Sequence, residues 1–165
     1  MSITSSPWTT RVTATSAPTA VILIRFYLGV IFLSEGIQKF LHPDRLGTGR
    51  FDKAGIPAPE FLAPLDAVFE IGCGVLILAG LITRVAVVPM IVNMAGALLI
   101  TKLPILWSDA PLFSTDSGWW DFLHESRTDL AMLCGSIFLL IVGAGSWSLD
   151  ARLRRAPATT APKPS

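Results

Sequence analysis

The sequence predicts an all-α fold: a polytopic membrane protein built as a four-transmembrane-helix bundle. Four apolar stretches predict it, because each holds about 20 residues, or ~30 Å of helix, which matches the hydrocarbon thickness of a bilayer. The composition agrees, since 52% of the 165 residues are hydrophobic and 15% are charged, whereas ordinary soluble domains are about 25% charged. The predicted spans are residues 21–41, 61–82, 85–104 and 129–147.

The segments outside the spans divide the chain into one domain and two tails. Residues 1–18 are rich in Ser, Thr, Ala and Pro, which predicts a disordered N-terminal tail. Residues 151–165 form a C-terminal tail that is first basic and then, over residues 156–165, rich in Ala, Pro and Thr, which predicts disorder for that last stretch. Residues 19–150 form a single four-helix membrane domain, because the spans leave no room for another domain.

The connections between the spans predict how the bundle is arranged. The turn Leu81–Arg84 is so short that the second and third spans must form an antiparallel hairpin. The third connection, Ile105–Arg127, contains three tryptophans, which favour the membrane interface, so this loop is predicted to lie on the membrane surface. Four spans place both termini on one side. The arginines that follow the last span predict that this side is the cytoplasm.

Charged residues inside the apolar spans are the strongest functional signal. Arg25 and Glu35 interrupt the first span, and Asp66 and Glu70 interrupt the second. An ionised group in lipid costs at least ~2.5 kcal/mol, so such residues face one another, water or a ligand. The two spans therefore predict a polar site inside the bundle.

The helical period places the polar residues of each span on one face, so that these faces point inward and form one cluster. Gly29 and Gly36 on the polar face of the first span allow close helix approach. The two charged residues that lie in the lipid interior, Glu70 and Arg25, are predicted to be catalytic. Five further residues are predicted to bind the ligand: Glu35, Lys39, Asp66, Asn93 and Asp129.

The charge balance of this cluster predicts that one carboxyl carries a proton. Five acids face three bases, with Arg25 as a fourth base if it joins them. The acids are Glu35, Asp66, Glu70, Glu125 and Asp129, and the bases are Lys39, Lys102 and Arg127. Unpaired buried charge is costly, so Glu70, the deepest, is expected to be protonated and would suit a proton relay or quinol-binding group. The alternative is that the charges only form interhelical salt bridges that fix the fold.

Histidines give a weaker signal. His124 and Glu125 with Asp129 could hold a metal, and His42 with His124 could ligate haem. Neither set has a recognised ligand spacing, so both histidines are interpreted as interfacial residues and no metal site is predicted.

The two cysteines allow two interpretations. Cys73 and Cys134 lie at similar depth and could form a redox pair, although small apolar core residues are the simpler interpretation.

The remaining sequence features exclude several classes of function. The sequence contains no Gly-rich phosphate loop, dinucleotide fingerprint, CxxC pair or HExxH motif. Its net charge of +1 gives no reason to expect nucleic acid binding.

Five segments together form a recognisable pattern. They are Arg25-Phe-Tyr-Leu-Gly-Val-Ile-Phe-Leu-Ser-Glu-Gly-Ile-Gln-Lys39, Gly55-Ile-Pro, Glu70-Ile-Gly-Cys-Gly-Val-Leu-Ile-Leu-Ala-Gly80, Thr83-Arg84 and Gly143-x-Gly145-x-x-Ser148-Leu-Asp150. The pattern resembles the DoxX family of small four-helix bacterial membrane proteins and extends over about residues 20–150. Arg25, Lys39 and Glu70 match the motif positions of that family.

The resemblance implies a multi-pass protein of the bacterial inner membrane with a redox-linked role. Some members resemble subunits of thiosulfate:quinone oxidoreductase, and others are linked to thiol redox defence or respond to quinone-like compounds. The implied function is that of a subunit in a quinone- or thiol-linked membrane oxidoreductase system. A quinone would lie near Glu70 and Arg25, Glu70 would pass protons, and a soluble or membrane redox partner would carry the electrons.

Two other functions are consistent with the same residues. A non-catalytic scaffold that docks a soluble enzyme would need the charges for stability alone. A small-solute or proton-coupled transporter would need a homo-oligomer, since four spans are few for transport. The Glu70→Gln substitution separates the three, because it would abolish quinone reactivity, harm only assembly, or abolish pH-driven transport.

Overall fold

The computed structural model describes residues 12–13, 15 and 17–155, and this part of the chain is helical, without strands. A π-helical turn, Leu98–Lys102, and a 3-10 helix, Leu103–Trp107, continue directly from the helix that ends at Ala97. The predicted all-α fold is confirmed. The helices are α1 (Val21–Leu41), α2 (Pro43–Leu46), α3 (Thr48–Lys53), α4 (Pro59–Ala79), α5 (Thr83–Ala97), α6 (Trp119–Val142) and α7 (Leu149–Arg155).

Three helical segments are long and apolar enough to cross a membrane by length and composition: α1, α4 and the continuous segment Thr83–Trp107. The fourth long helix, α6, differs because Asp121, Glu125, Arg127 and Asp129 all lie in its first half. The part of α6 without charged residues, 130–142, extends only ~20 Å. The chain is thus a helical membrane protein with three clear candidate spans, and α6 completes the bundle beside them.

The four long helices form a ring around one core. Helix α1 packs on α4, α4 on α5, α5 on α6, and α6 returns to α1. The centre of the ring is filled by fully buried side chains: Leu28, Phe32, Ile77, Met90 and Leu139. Only residues 80–82 separate α4 from α5, so the predicted hairpin of the second and third spans is confirmed.

Glycines bring α1 and α4 into close contact. A Cβ atom at Gly29 would lie 2.9 Å from the Gly74 carbonyl oxygen, and one at Gly36 would lie 2.7 Å from the Ala67 carbonyl oxygen. Small residues let helix backbones approach closely where no hydrophobic effect drives their association. The predicted role of the two α1 glycines is therefore confirmed, and Gly74 is their counterpart on α4.

The last long helix is displaced from its predicted position. It begins at Trp119, ten residues before the predicted span, and ends at Val142 instead of reaching Trp147. Gly143 has φ 83°, a left-handed conformation that favours glycine and ends the helix. Trp119 and Trp120 therefore belong to the first turn of α6 and not to a loop, and both are exposed.

The segments before α1 and after α6 meet at the side of the bundle that holds the α4–α5 turn. Thr15 Oγ1 accepts a hydrogen bond of 2.8 Å from the Gly145 N–H. The predicted C-terminal tail begins with a helix, α7, which carries the three arginines. The predicted disordered stretches at residues 1–11 and 156–165 lie outside the described residues.

Candidate functional site

A cavity of about 670 Å³ lies between α1, α4, α5 and α6, in the half of the bundle that faces α2 and α3. Its volume is within the range of about 300–1,000 Å³ that is typical of small-molecule sites. Aromatic and aliphatic side chains make up most of its wall. Its polar lining consists of Glu35, Lys39, Arg50, Asp66, Glu70, Asn93, Thr101, Lys102, Thr128 and Asp129.

The inner polar group of the cavity, Lys39, Asp66, Glu70 and Asn93, joins three helices. Asn93 Nδ2 donates a hydrogen bond of 2.8 Å to Glu70 Oε1, and Glu70 Oε2 lies 2.7 Å from Lys39 Nζ. Lys39 also pairs with Asp66 Oδ2. The Glu70 residue is only 2% exposed. One lysine thus serves two carboxyl groups, and both Glu70 oxygens face a polar neighbour.

Local sequence explains why these groups meet. Asp66 and Glu70 are one helical turn apart on α4, so both project from the same face. Lys39 lies in the last turn of α1, where its long side chain reaches across to them. A Cβ atom at Gly36 would lie 3.0 Å from Glu70 Cβ, so this glycine lets the base of the Glu70 side chain lie close against α1.

A second polar group surrounds Lys102 near the outer end of the cavity. Lys102 closes the π-helical turn and is buried. Its Nζ atom lies 3.6 Å from Glu125 Oε2 and 3.9 Å from the centre of the Phe113 ring, while Asp129 is within electrostatic range. A π-turn changes the register of a helix and is frequent at functional sites. Here it ends in a buried lysine that faces two carboxyl groups of α6.

The structure brings together six of the seven predicted site residues. Glu35, Lys39, Asp66, Glu70, Asn93 and Asp129 all line the cavity. The prediction that Arg25 shares this site is wrong, because Arg25 is buried near the other end of α1 and does not line the cavity.

Arg25 instead holds the ends of helices together. Its Nε atom donates a hydrogen bond of 2.9 Å to the Ile77 carbonyl oxygen, and Nη1 donates to those of Ala144 and Trp147 at 3.2 and 2.6 Å. Nη2 donates to the Leu78 carbonyl oxygen. The last carbonyl groups of a helix have no partner within the helix. Arg25 supplies partners to the end of α4 and to the segment after α6.

The adjoining turn explains several residues of the sequence pattern. Asp150 accepts hydrogen bonds from the N–H groups of Ile82 and Thr83, at 2.8 and 3.2 Å, and so caps the start of α5. Gly80 has φ 67°, and a Cβ atom there would lie 2.6 Å from Ser148 Cβ. Gly80, Thr83, Ser148 and Asp150 are therefore structural residues of the turn.

The predicted site leaves out four polar residues that line the cavity: Arg50, Thr101, Lys102 and Thr128. Arg50 lies outside the predicted spans, but α3 packs against α4 and carries Arg50 into the cavity wall. The sequence analysis counts Lys102 among the bases of the cluster but not among the predicted ligand-binding residues, whereas in the structure Lys102 lines the cavity and is only 6% exposed. Its burial depends on the π-turn and on Phe113, neither of which leaves a periodic signal in the sequence.

The charge balance differs from the prediction because the members of the cluster differ. Four acids line the cavity, and three bases oppose them: Glu35, Asp66, Glu70 and Asp129 against Lys39, Arg50 and Lys102. Glu125 stands just behind Lys102, and Arg127 donates to the His124 carbonyl oxygen instead of a carboxyl group. The excess of acid over base is one in the cavity, so the acidic bias that the sequence predicts is retained.

The remaining candidates do not form a second site. Within the described residues, no three His, Cys, Asp or Glu side chains are placed to hold a metal ion. Cys73 is buried and Cys134 is exposed, and neither forms a disulfide bond. The cavity, with its ten polar lining residues, is therefore the candidate ligand site among the described residues.

Comparison with known proteins identifies the family. The DoxX family model matches residues 20–103. The chain is 52% identical to "Uncharacterized membrane protein Rv3486" of Mycobacterium tuberculosis over 157 residues, which cover 94% of this chain and 95% of that protein. It is 31% identical to "Putative oxidoreductase CatD" of Bacillus subtilis over 129 residues, 78% of this chain and 83% of that one. No solved structure matches the chain. The protein therefore belongs to the DoxX family of membrane proteins.

Proposed function

We propose that this protein is the quinone-binding membrane subunit of an oxidoreductase system, with the cavity as its ligand site. One observation carries the proposal: a buried carboxyl group, Glu70, faces an apolar cavity of ligand size while Asn93 and Lys39 hold its two oxygens. Buried acids inside membrane domains commonly serve proton relays. A quinone needs both an apolar surround and a group that exchanges protons.

The charges of the cavity favour a neutral ligand head. Lys39 already serves two carboxyl groups, and acids outnumber bases in the lining. An anionic head such as a fatty acid carboxylate would add a fifth negative charge in a poorly solvated site, at a high energetic cost. Quinone carbonyl groups are neutral acceptors that Asn93 and Lys39 can serve, and quinol hydroxyl groups can donate to Glu70.

The proposed step is the reduction of quinone to quinol, which takes up two electrons and two protons. A dithiol of a partner redox protein supplies both electrons and becomes a disulfide, releasing two protons. Two protons reach the ring oxygens in succession by way of Glu70. The chain has no sequence motif for an electron-carrying cofactor, which is why the electron donor is assigned to a partner.

One of the two relatives supports an oxidoreductase role. The name of the Bacillus subtilis relative contains the word oxidoreductase, and the alignment with it covers most of both chains. Within the proposal, the protein resides in the bacterial inner membrane with both termini in the cytoplasm. Arg84, Arg152, Arg154 and Arg155 then lie on the cytoplasmic side, in agreement with the positive-inside rule.

The test compares Glu70→Gln with Glu60→Gln. Both substitutions remove a carboxyl group from α4, but Glu60 is exposed in the first turn and does not line the cavity. Purified wild type and both variants are titrated with a naphthoquinone in detergent, and binding is measured from the rise in unfolding temperature. Reduction is then assayed by absorbance with a dithiol-bearing redox partner from the same membrane.

The expected result is that Glu70→Gln binds quinone about tenfold more weakly, or ~1.4 kcal/mol, and supports no reduction. Glu60→Gln is expected to match the wild type. Wild type that binds no quinone would refute the proposal. Normal binding and reduction by Glu70→Gln would also contradict it, and would favour a scaffold in which the charges serve stability alone.

A further inference from the structure

We propose that the quinone head occupies the cavity while its isoprenoid tail leaves the cavity sideways into the bilayer, through an apolar opening between α4 and α5. The lateral portal, as we call it, is bordered by Leu65, Phe69, Val92, Gly96 and Ile100. This inference rests on the proposed function and adds to it the class of ligand: tailed, lipid-soluble quinones.

The α4 side of the portal is apolar and faces outward. Leu65 and Phe69 both line the cavity, and yet 38% and 47% of their surfaces are exposed. Residues that contact the cavity and also lie on the outer surface of the bundle mark the rim of an opening. Phe69 directly precedes Glu70, so adjacent residues of α4 carry the lipid-facing rim and the buried carboxyl group.

The α5 side repeats this arrangement. Val92 and Ile100 line the cavity and are 67% and 45% exposed. Val92 directly precedes Asn93, which donates to Glu70. Between Val92 and Ile100 lies Gly96, where an added Cβ atom would meet nothing within 4 Å. Each helix thus places an apolar rim residue beside a polar inner residue, which is the pattern that a ligand with a polar head and an apolar tail requires.

The opposite gap, between α1 and α6, has a different chemistry. It is lined by Glu35, Thr128 and Asp129, and the first two are exposed. A hydrocarbon tail gains nothing from such a surface, because carboxyl and hydroxyl groups lose their hydration when it covers them. The five portal residues carry no polar side chain, so the tail is assigned to the α4–α5 side.

A matched pair of glycine substitutions tests the portal. Gly96 and Gly72 each have open space where a Cβ atom would be added, but Gly96 lines the cavity and Gly72 does not. Gly96→Phe therefore fills the portal, while Gly72→Phe adds the same side chain elsewhere on the bundle. Wild type and both variants are titrated in detergent with a naphthoquinone that carries an isoprenoid tail and with the same ring without a tail.

Binding is measured from the rise in unfolding temperature, with each variant referred to its own ligand-free value. We expect Gly96→Phe to bind the tailed quinone about tenfold more weakly than wild type. Gly72→Phe is expected to bind it normally, and the tailless ring should bind all three proteins alike. Comparing variants at one ligand removes the effect of quinone partition into micelles, which is the same for each protein.

Each of the other outcomes contradicts either the portal or the proposed function. Equal affinity of Gly96→Phe and Gly72→Phe for the tailed quinone would overturn the portal and leave quinone binding itself intact. Weaker binding of the tailless ring by Gly96→Phe than by wild type would also overturn the portal, because the added side chain would then block the cavity itself. Wild type that binds neither quinone would refute the proposed function, and the portal with it.

Discussion

Asn93 donates a hydrogen bond of 2.8 Å to Glu70 Oε1, and so links α4 to α5 at the level of the cavity. The two helices are covalently joined only at their other ends, through residues 80–82. Hydrogen bonds between membrane helices are worth about 0.6–2 kcal/mol. The contact therefore links the two walls of the portal, and it leaves Glu70 Oε2 to pair with Lys39.

Replacement of Lys39 tests the pairing in the inner polar group. Lys39→Met removes the cation that serves both Asp66 and Glu70. Breaking a buried ion pair on one side leaves uncompensated charge, so we expect the free energy of unfolding to fall by roughly 3 kcal/mol. Denaturant titration in mixed micelles measures this change.

Two further variants control that measurement. Lys53→Met removes an exposed lysine that does not line the cavity, so its stability should equal that of wild type. Adding Asp66→Asn to Lys39→Met removes one of the two stranded carboxyl groups and should recover part of the loss. Equal stability of Lys39→Met and Lys53→Met would show that the inner polar group contributes no net stabilisation.

Replacement of Arg25 separates structure from ligand binding. Arg25→Met removes four hydrogen bonds to carbonyl groups of α4 and of the segment after α6. We expect a loss of roughly 2–4 kcal/mol in unfolding free energy, because charged donors to buried carbonyl groups are strong and their loss leaves acceptors unpaired. Quinone affinity, measured at a temperature where the variant is folded, should stay within twofold of wild type. Loss of quinone affinity in the folded variant would show that Arg25 contributes to the ligand site.

The contrast between Arg25 and Glu70 shows how far the sequence could predict the site. Both are charged residues within an apolar span, and the helical period correctly predicts that both face inward. Periodicity does not predict the level at which each side chain finds its partner. Arg25 binds carbonyl groups at the end of α4 and after α6, and these groups take up their positions only when the turns after the two helices have formed.

The boundaries of α6 were missed for a related reason. Hydropathy finds the apolar part of a helix, but α6 begins with a charged half that is supported by its contacts with α5 and the 3-10 helix. Lys102 likewise becomes buried through a π-turn that composition does not reveal. The all-helical fold and the family followed from hydropathy and motif residues, which are local properties. The polar group around Lys102 depends on tertiary contacts and could not be predicted in that way.

The close contact of α1 with α4 makes a prediction about glycine. Gly36→Ala would place a Cβ atom 2.7 Å from the Ala67 carbonyl oxygen, so the two helices must separate. Overpacking of this kind costs about 1–3 kcal/mol. Gly72→Ala is the matched control on α4, because its Cβ atom meets nothing, and better helix propensity should make it neutral or more stable by about 0.5–1 kcal/mol. Thermal unfolding of both variants in one detergent gives the comparison, and a Gly36→Ala protein as stable as Gly72→Ala would contradict this packing.

The orientation in the membrane can be tested through the arginines of α7. Arg152, Arg154 and Arg155 follow the bundle closely, and Arg84 lies in the first turn of α5, where it donates a hydrogen bond to the Ile141 carbonyl oxygen of α6. Basic residues that flank spans remain in the cytoplasm, whereas acidic residues have little influence. At the other end of the bundle, Arg50 lines the cavity, which leaves fewer basic residues at that surface.

A reporter fused to the C-terminus should therefore report the cytoplasm. In a bacterial host, a C-terminal green fluorescent protein, which matures only in the cytoplasm, is expected to be bright, and a C-terminal alkaline phosphatase, active only after export, is expected to be silent. The same two reporters fused after Lys53, on the connection between α1 and α4, should give the reverse result. An active phosphatase at the C-terminus would overturn the orientation and place the mouth of the cavity that faces α2 and α3 on the cytoplasmic side.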